Sequence, residues 1–244
     1  MKYLFYICCL ALFTGACTKP KNLNPSGIIL GDHISNRQPV ADGTTTLDIT
    51  VTIDAHADSA KRSIVFRAST GIFLPAKDTT ITIQASYENK LLIARTKFQV
   101  PIISGMVHFY FYPQGKSSQK DLILRDSLQV MPSVPASLVL TPSASAVKMV
   151  FGSEISLSAL LQNSLKAKVS SGTKVLFEDI YPDGKPVGGI FRATRDTTDS
   201  TSTAVTNYSL GNVPAGPIFI RCTYLNADSR TAVHDSCIIN VIPN

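Results

Sequence analysis

The fold of this chain follows from one stretch, Leu47-Asp48-Ile49-Thr50-Val51-Thr52-Ile53. Apolar and polar residues alternate strictly along it, which is typical of a β-strand with one buried face. The pattern returns about 108 residues later, where Ile155, Leu157, Ala159 and Leu161 alternate with Ser156 and Ser158. A strand that recurs at this spacing indicates that one structural unit is used twice.

Other segments repeat in the same order around these two strands. The offset between matched residues is about 110 at first, rises to about 118 in the middle and returns to about 111. It rises because the second copy carries extra residues, which include the turn-forming segment 181–186. Loops absorb such insertions, so the drift is typical of duplicated domains. The matched segments are 25–30 with 135–140, 64–66 with 175–177, 71–73 with 189–191, 107–111 with 218–222, and 128–132 with 239–243.

The strand pattern predicts an all-β chain. Short alternating segments are separated by Gly, Pro, Asn and Asp, no helical period is evident, and charged residues make up only 16% of the sequence. We therefore predict two tandem β-sandwiches, at residues 24–132 and 133–244. The joint between them is short and contains Pro132 and Pro135, which favours limited flexibility.

Three motifs recur in order in the two copies. They are Asp42-Gly43-Thr44-Thr45 and Gly152-Ser153 before an alternating strand, Ile64-Val65-Phe66 followed by Gly71, and the Gly-led strands that begin at Gly105 and Gly216. With these motifs, each copy resembles the bacterial immunoglobulin-like (Big) domains of the invasin/intimin type, and the resemblance covers nearly the whole chain after residue 24. It implies immunoglobulin-like sandwiches, although fibronectin type III-like sandwiches share the pattern. The absence of Trp removes the antibody-type core.

The amino-terminal segment predicts export. Met1-Lys2, an apolar run over 3–13 and small residues after it are typical of a secretory signal peptide, here residues 1–16. Thr14-Gly15-Ala16-Cys17 resembles the lipobox of bacterial lipoproteins, although Thr14 departs from the commoner Leu. The resemblance implies that Cys17 is acylated, by palmitate or a similar chain, and contacts membrane lipid. A plain signal peptide with an incidental cysteine is the alternative.

The residues after Cys17 bear on location. Thr18, rather than Asp, resembles the sorting pattern of lipoproteins sent to the outer membrane, and residues 17–23 form a lipidated tether. The segment 18–21 lacks the acidic residues that mark surface export in some bacterial lineages, which favours a periplasm-facing position; the cell surface is the alternative. The net charge of +6 comes from scattered single residues without a Lys/Arg run, which argues against a nucleic-acid partner.

Cys222 and Cys237 lie on the two arms of the last predicted hairpin, whose tip is near Ser229 and Arg230. Both fall on the apolar phase of their strands, so we predict that they meet across adjacent strands. In an oxidising envelope such a pair forms a disulfide. A pair of buried thiols is the alternative.

His108, Tyr110 and Tyr112 alternate with Val107, Phe109 and Phe111. If the apolar set faces the core, the polar-tipped set forms a stripe on the opposite face, which suits protein or sugar recognition. Their counterparts in the second copy, at 219, 221 and 223, do not keep the pattern. The stripe is the candidate binding patch. The alternative is that the tyrosines cover a sheet face or the joint between the domains.

The sequence carries no catalytic motif: no nucleophile elbow, no phosphate-cradling glycine loop and no paired catalytic carboxylates. Asp54, His56 and Asp58 occupy alternate positions, but their segment has the character of a solvated turn rather than a metal site. We expect no enzyme activity, no cofactor and no metal.

The function predicted from the sequence is that of a membrane-anchored adhesion, scaffold or binding module with a protein partner. The alternative is a carbohydrate-binding accessory lipoprotein of a polysaccharide-uptake system, with a glycan as ligand. The absence of Trp counts against the alternative, because sugar platforms use that residue most.

Overall fold

The computed structural model describes residues 28–115, 123–226 and 233–244. The predicted signal peptide 1–16, Cys17, the tether 17–23 and the hairpin tip at Ser229 and Arg230 lie outside these ranges. Within them the chain forms β-strands and one short 3-10 helix, Ser59–Lys61. The predicted all-β fold is confirmed.

The strands divide between the two copies of the repeat. Those of the first copy are β1 Ile29–Ile34, β2 Thr46–Ile53, β3 Ser63–Ala68, β4 Ile72–Leu74, β5 Thr80–Gln84, β6 Ser86–Glu88, β7 Leu91–Gln99, β8 Gly105–Pro113 and β9 Leu124–Val130. Those of the second are β10 Ser137–Pro142, β11 Ala146–Lys148, β12 Glu154–Gln162, β13 Lys174–Ile180, β14 Ile190–Phe191, β15 Arg195–Thr197, β16 Thr203–Ser209, β17 Gly216–Tyr224 and β18 His234–Ile242.

Each copy forms two sheets that enclose a core. In the first sandwich, one sheet has the order β1-β2-β7-β4, with β6 also paired to β7, and the other has the order β5-β3-β8-β9. In the second sandwich the orders are β10-β12-β16-β14 and β11-β18-β17-β13-β15. The repeat-matched strands therefore take equivalent places: β2 matches β12, β3 matches β13, β8 matches β17, and β9 matches β18.

The alternating stretch that predicted the fold lines the core. Leu47, Ile49, Val51 and Ile53 on β2 are at most 2% exposed, and their counterparts on β12 are equally buried. The buried apolar residues form two separate clusters, one from Ile28 to Val130 and one from Leu138 to Val241. Burial of these side chains, at about 25 cal/mol per Å² of apolar surface, is the main stabilising contribution in each sandwich.

Two repeat-matched glycines have the same structural role. A Cβ on Gly71, whose φ is +80°, would lie 2.3 Å from the ring of Phe98. A Cβ on Gly189 would lie 2.1 Å from the hydroxyl of Tyr208. In both copies a side chain at this point would collide with a buried aromatic ring, which explains why the Gly-Ile-Phe segment occurs twice.

The joint between the sandwiches is held by hydrogen bonds. Ser133 is 3% exposed, its amide donates to Ser170 Oγ at 2.8 Å, and its hydroxyl donates to the carbonyl of Lys168. Ser170 Oγ donates to the carbonyl of Ala41 at 3.1 Å, and the amide of Ser171 donates to that of Ile102 at 3.0 Å. The second sandwich thus contacts loops of the first directly.

Candidate functional site

Strand β8 divides its side chains between the core and an outer face. Val107, Phe109 and Phe111 are at most 1% exposed. His108 is exposed on the opposite side, and Tyr110 and Tyr112 are half-buried there. The three residues of the predicted binding patch therefore lie together on the outer surface of the sheet β5-β3-β8-β9.

The strands beside β8 place two arginines next to this patch. The register pairs Tyr110 with Arg67 on β3 and with Arg125 on β9. Directly opposite residues in antiparallel strands point to the same face and have Cβ atoms about 5 Å apart. Tyr110 therefore lies between two exposed guanidinium side chains in one cross-strand row.

Neighbouring rows extend the surface with uncharged residues. Tyr112 lies opposite Val65, which in turn lies opposite Thr82 on β5, and His108 lies opposite Ser127 on β9. We call the outward surface that carries Arg67, His108, Tyr110, Tyr112 and Arg125 the Tyr110 face.

The Tyr110 face has no acidic residue at the outward positions of its four described strands. Asp126 is the nearest carboxylate along β9, but it lies opposite Phe109 and its side chain accepts a hydrogen bond from Arg37 at the sandwich edge. Neither Arg67 nor Arg125 forms an ion pair with any residue in the described ranges. The face is therefore cationic and aromatic.

The second sandwich has different chemistry at the matched positions. Arg221 on β17 takes the place of Tyr110, and Glu178 on β13 takes the place of Arg67. The Arg221 guanidinium and the Glu178 carboxylate form an ion pair with an N···O distance of 2.9 Å. Ser236 lies opposite Arg221 on its other side. This row is neutral as a whole.

Sequence reasoning missed the contribution of Arg67 and Arg125. They are 43 and 15 residues from Tyr110 along the chain, and each was an isolated basic residue in the sequence. The alternation of each strand shows which residues point outward, but only the strand register decides which of them share a row.

Cys222 and Cys237 lie on adjacent strands but not opposite each other. Cys222 pairs with Asp235, and Cys237 pairs with Ile220, so the two cysteines are diagonal neighbours on the core side. Both cysteines are free thiols in the structure, which does not contain the predicted disulfide, because the strand register does not place them opposite each other. Burial, followed by the nearby charge of Asp235, raises the pKa of Cys222 to about 12 and that of Cys237 to about 11. Thiols in this state are poor nucleophiles.

The residues considered for a metal form a local turn. His56 Nδ1 lies 3.0 Å from Asp54 Oδ1, and Asp58 caps the short 3-10 helix by accepting a bond from the amide of Ala60. No group of three or more metal-ligating side chains occurs in the part of the chain that the structure describes. These contacts account for Asp54, His56 and Asp58 as turn-stabilising residues.

A carboxyl pair lies at one edge of the first sandwich. Asp32 on β1 is close to Asp126 on β9, and Arg37 contacts both. Burial, together with a hydrogen bond to Asp126 and repulsion from its charge, raises the pKa of Asp32 to about 6. The pair faces the side of the sandwich rather than the Tyr110 face.

A shallow cavity of about 440 Å³ lies at the end of the second sandwich farthest from the joint. Its rim includes Met149, Val150, Phe151 and Ile190, all of them exposed. It contains no cluster of titratable groups.

None of the described segments is an apolar helix long enough to cross a membrane.

No protein-family profile and no curated protein matches this sequence. Solved structures do match. Invasin, a bacterial integrin-binding protein, aligns with a TM-score of 0.59 and 14% identity over 88% of this chain and 39% of its own. The chain has an invasin-type immunoglobulin-like fold.

The adhesin InvE of Yersinia pseudotuberculosis also aligns, with a TM-score of 0.52 and 13% identity, over 88% of this chain and 60% of its own. A glycosyl hydrolase family 2 member from Bacteroides cellulosilyticus aligns at a TM-score of only 0.35. The chain spans less than two thirds of the length of both invasin and InvE. At such identities the likeness establishes the fold, and the predicted immunoglobulin-like sandwiches are confirmed.

Proposed function

We propose that this protein is a non-catalytic, adhesion-type binding module that contacts a protein partner through the Tyr110 face. The observation that carries the proposal is the outward placement of Tyr110 and Tyr112 beside two arginines with no ion-pair partner among the described residues. Tyr and Arg are the residue types enriched in protein interfaces and in their energetic hot spots.

The shape of the surface supports a protein ligand. The Tyr110 face is the outer side of a four-stranded sheet, and its tyrosines are half-buried rather than projecting. Small molecules bind preferentially in concave sites, whereas protein partners bury broad surfaces. The solved structures of similar fold include an adhesin and an integrin-binding protein, which fits a role of this class.

We further propose that the module is anchored to the outer membrane through acylated Cys17. Residues 17–23 span at most roughly 25 Å when extended, so the first sandwich would lie close to the lipid surface. Replacement of Cys17 with Ser tests the anchor. The wild-type protein is expected in the membrane fraction and should incorporate a labelled palmitate analogue, whereas C17S should incorporate none. Incorporation of the label into C17S would contradict the anchor.

Site-specific photo-crosslinking tests the binding face. A photoreactive amino acid replaces Tyr112 in the full chain, and the matched control carries it at Thr223, the equivalent outward position of the second sandwich. We expect one defined protein adduct from position 112 and none from position 223 in cells that produce the protein. Adducts that are absent from position 112, or the same from both positions, would refute the proposed face.

A further inference from the structure

We infer that the partner bound by the Tyr110 face is an acidic protein surface, rich in Asp and Glu. This inference rests on the proposed function and specifies the chemistry of its ligand. It follows from the charges of one cross-strand row and from the comparison of that row with its counterpart in the second sandwich.

The row Arg67–Tyr110–Arg125 concentrates positive charge. The two arginines flank one residue on adjacent strands, so their Cα atoms are separated by about two strand spacings, or about 10 Å. This separation is comparable to the Debye length at physiological ionic strength, so their potentials overlap above Tyr110. Both side chains are exposed and available to a ligand.

The second sandwich shows how this fold neutralises a cation at the same place. Glu178 occupies the position of Arg67 and pairs with Arg221, with side-chain exposures of 39% and 40%. In the first sandwich the same two positions hold Arg and Tyr, and no outward residue of β5, β3, β8 or β9 within the described ranges supplies a carboxylate. A ligand with carboxylates would complete this row as Glu178 completes the other.

The surroundings of the arginines favour a protein over other anions. Tyr110 and Tyr112 supply an aromatic centre beside the buried Val65, while the arginines lie at its sides. An apolar centre with charges around it is the usual arrangement of protein interfaces. Arg binds carboxylates through two parallel hydrogen bonds, which adds geometric selectivity for Asp and Glu side chains.

Binding of the full chain to a fluorescein-labelled copolymer of Glu and Tyr tests the inference by fluorescence anisotropy. We expect R67E/R125E, and also the milder R67Q/R125Q, to weaken binding by about tenfold or more. Rising NaCl should weaken wild-type binding in parallel. The control K148E/R195E makes the same change in net charge at exposed residues of the second sandwich and should alter affinity by less than about twofold.

Three results would overturn the inference. The first is equal weakening by R67E/R125E and K148E/R195E, which would indicate a non-specific effect of net charge. The second is wild-type affinity for polygalacturonate at least as high as for the copolymer and lost in R67E/R125E, which would make the ligand an acidic glycan. The third is no binding of the copolymer. If the adduct at position 112 persists in R67E/R125E, the binding face stands and only the acidic partner is refuted.

Discussion

Strands β8 and β17 occupy the same place in the two sandwiches and differ on only one of their sides. Their inward residues are apolar in both, with Phe109 matched by Ile220, each fully buried. Their outward residues differ completely, because Tyr110 between two arginines is matched by Arg221 in an ion pair with Glu178. The fold requires the inward residues to be apolar, whereas the outward residues can differ between the two sandwiches without disturbing the core.

The cores of the two copies differ in one further respect. Phe98 of the first core packs against Phe109, with ring centroids 5.0 Å apart. Its counterpart, Tyr208, donates a hydrogen bond from its hydroxyl to buried Asp179 at 2.9 Å, and the amide of Gly189 donates to the same carboxylate oxygen. At this position the first core is stabilised by aromatic packing, whereas the second core contains a polar network.

The largest effect is expected from a substitution on the inward, apolar side of β8, which corresponds to the inward side of β17. Replacement of Phe109 with Ala removes a ring that contacts Phe98 and Phe111, and should lower the free energy of unfolding by about 3–5 kcal/mol. Tyr110→Ser, one position away, should cost less than about 1 kcal/mol. Urea denaturation followed by circular dichroism measures both. Similar losses from the two variants would contradict the inward-outward division of β8.

The polar network of the second core gives a smaller effect. Tyr208→Phe deletes the hydroxyl that Asp179 accepts from, and should destabilise the second sandwich by about 1–3 kcal/mol. Phe98→Tyr in the first sandwich should also destabilise, because Ala68 takes the place of Asp179 there and offers the new hydroxyl no carboxylate. Hydrogen-exchange mass spectrometry reads the two sandwiches separately. Unchanged protection of β16 in Tyr208→Phe would argue against the network.

The carboxyl pair of the first sandwich predicts a pH dependence that the second lacks at this site, since Pro142 and Cys237 replace Asp32 and Asp126. Because the pKa of Asp32 is raised to about 6, the folded protein binds this proton more tightly than the unfolded chain does. The stabilisation is complete below about pH 4 and is lost as the pH rises through about 6.

Asp32→Asn should therefore stabilise the first sandwich by about 1 kcal/mol near pH 7 and have little effect near pH 4. This stabilisation is smaller than the change in the pKa alone would give, because solvent screens part of the repulsion between Asp32 and the partly exposed Asp126. Thermal unfolding of both proteins at the two pH values measures it. An equal change in melting temperature at both would contradict this assignment.

The smallest effect concerns the exposed ion pair. Glu178→Gln should change the stability of the second sandwich by less than about 0.5 kcal/mol, since half-exposed pairs contribute little. This variant also serves as a control, because it leaves Arg221 on the second sandwich without its ion-pair partner and without an adjacent tyrosine. If Glu178→Gln restored binding of the Glu-Tyr copolymer in the R67E/R125E background, an arginine without an adjacent tyrosine would be sufficient.

Much of the fold could be predicted from the sequence. The alternation of 47–53 and its return at 155–161 gave the strands, the buried face and the duplication, because a two-residue period depends on local pattern alone. The same logic found the outward position of His108, Tyr110 and Tyr112. The boundaries at 24–132 and 133–244, and the lipidation of Cys17, stay predictions.

What could not be predicted depends on strand register. The alternation of the two strands places Cys222 and Cys237 on the same face of the sheet. Whether they lie opposite each other or diagonally depends on a register shift of two residues, and in the structure they lie diagonally. Likewise, phase alone does not bring Arg67 and Arg125 beside Tyr110. Register is set by turns and by contacts between distant parts of the chain, which a single strand does not reveal.

Exchange of the two cross-strand rows tests the central claim most directly. The variant R67E/Y110R/R125S gives the first sandwich the row of the second, and E178R/R221Y/S236R does the reverse. All six positions lie on outer sheet faces, so both variants should fold. We predict that the first variant loses binding to the Glu-Tyr copolymer by about tenfold or more, and that combining both variants restores part of it on the second sandwich. Unchanged binding in R67E/Y110R/R125S would contradict the account.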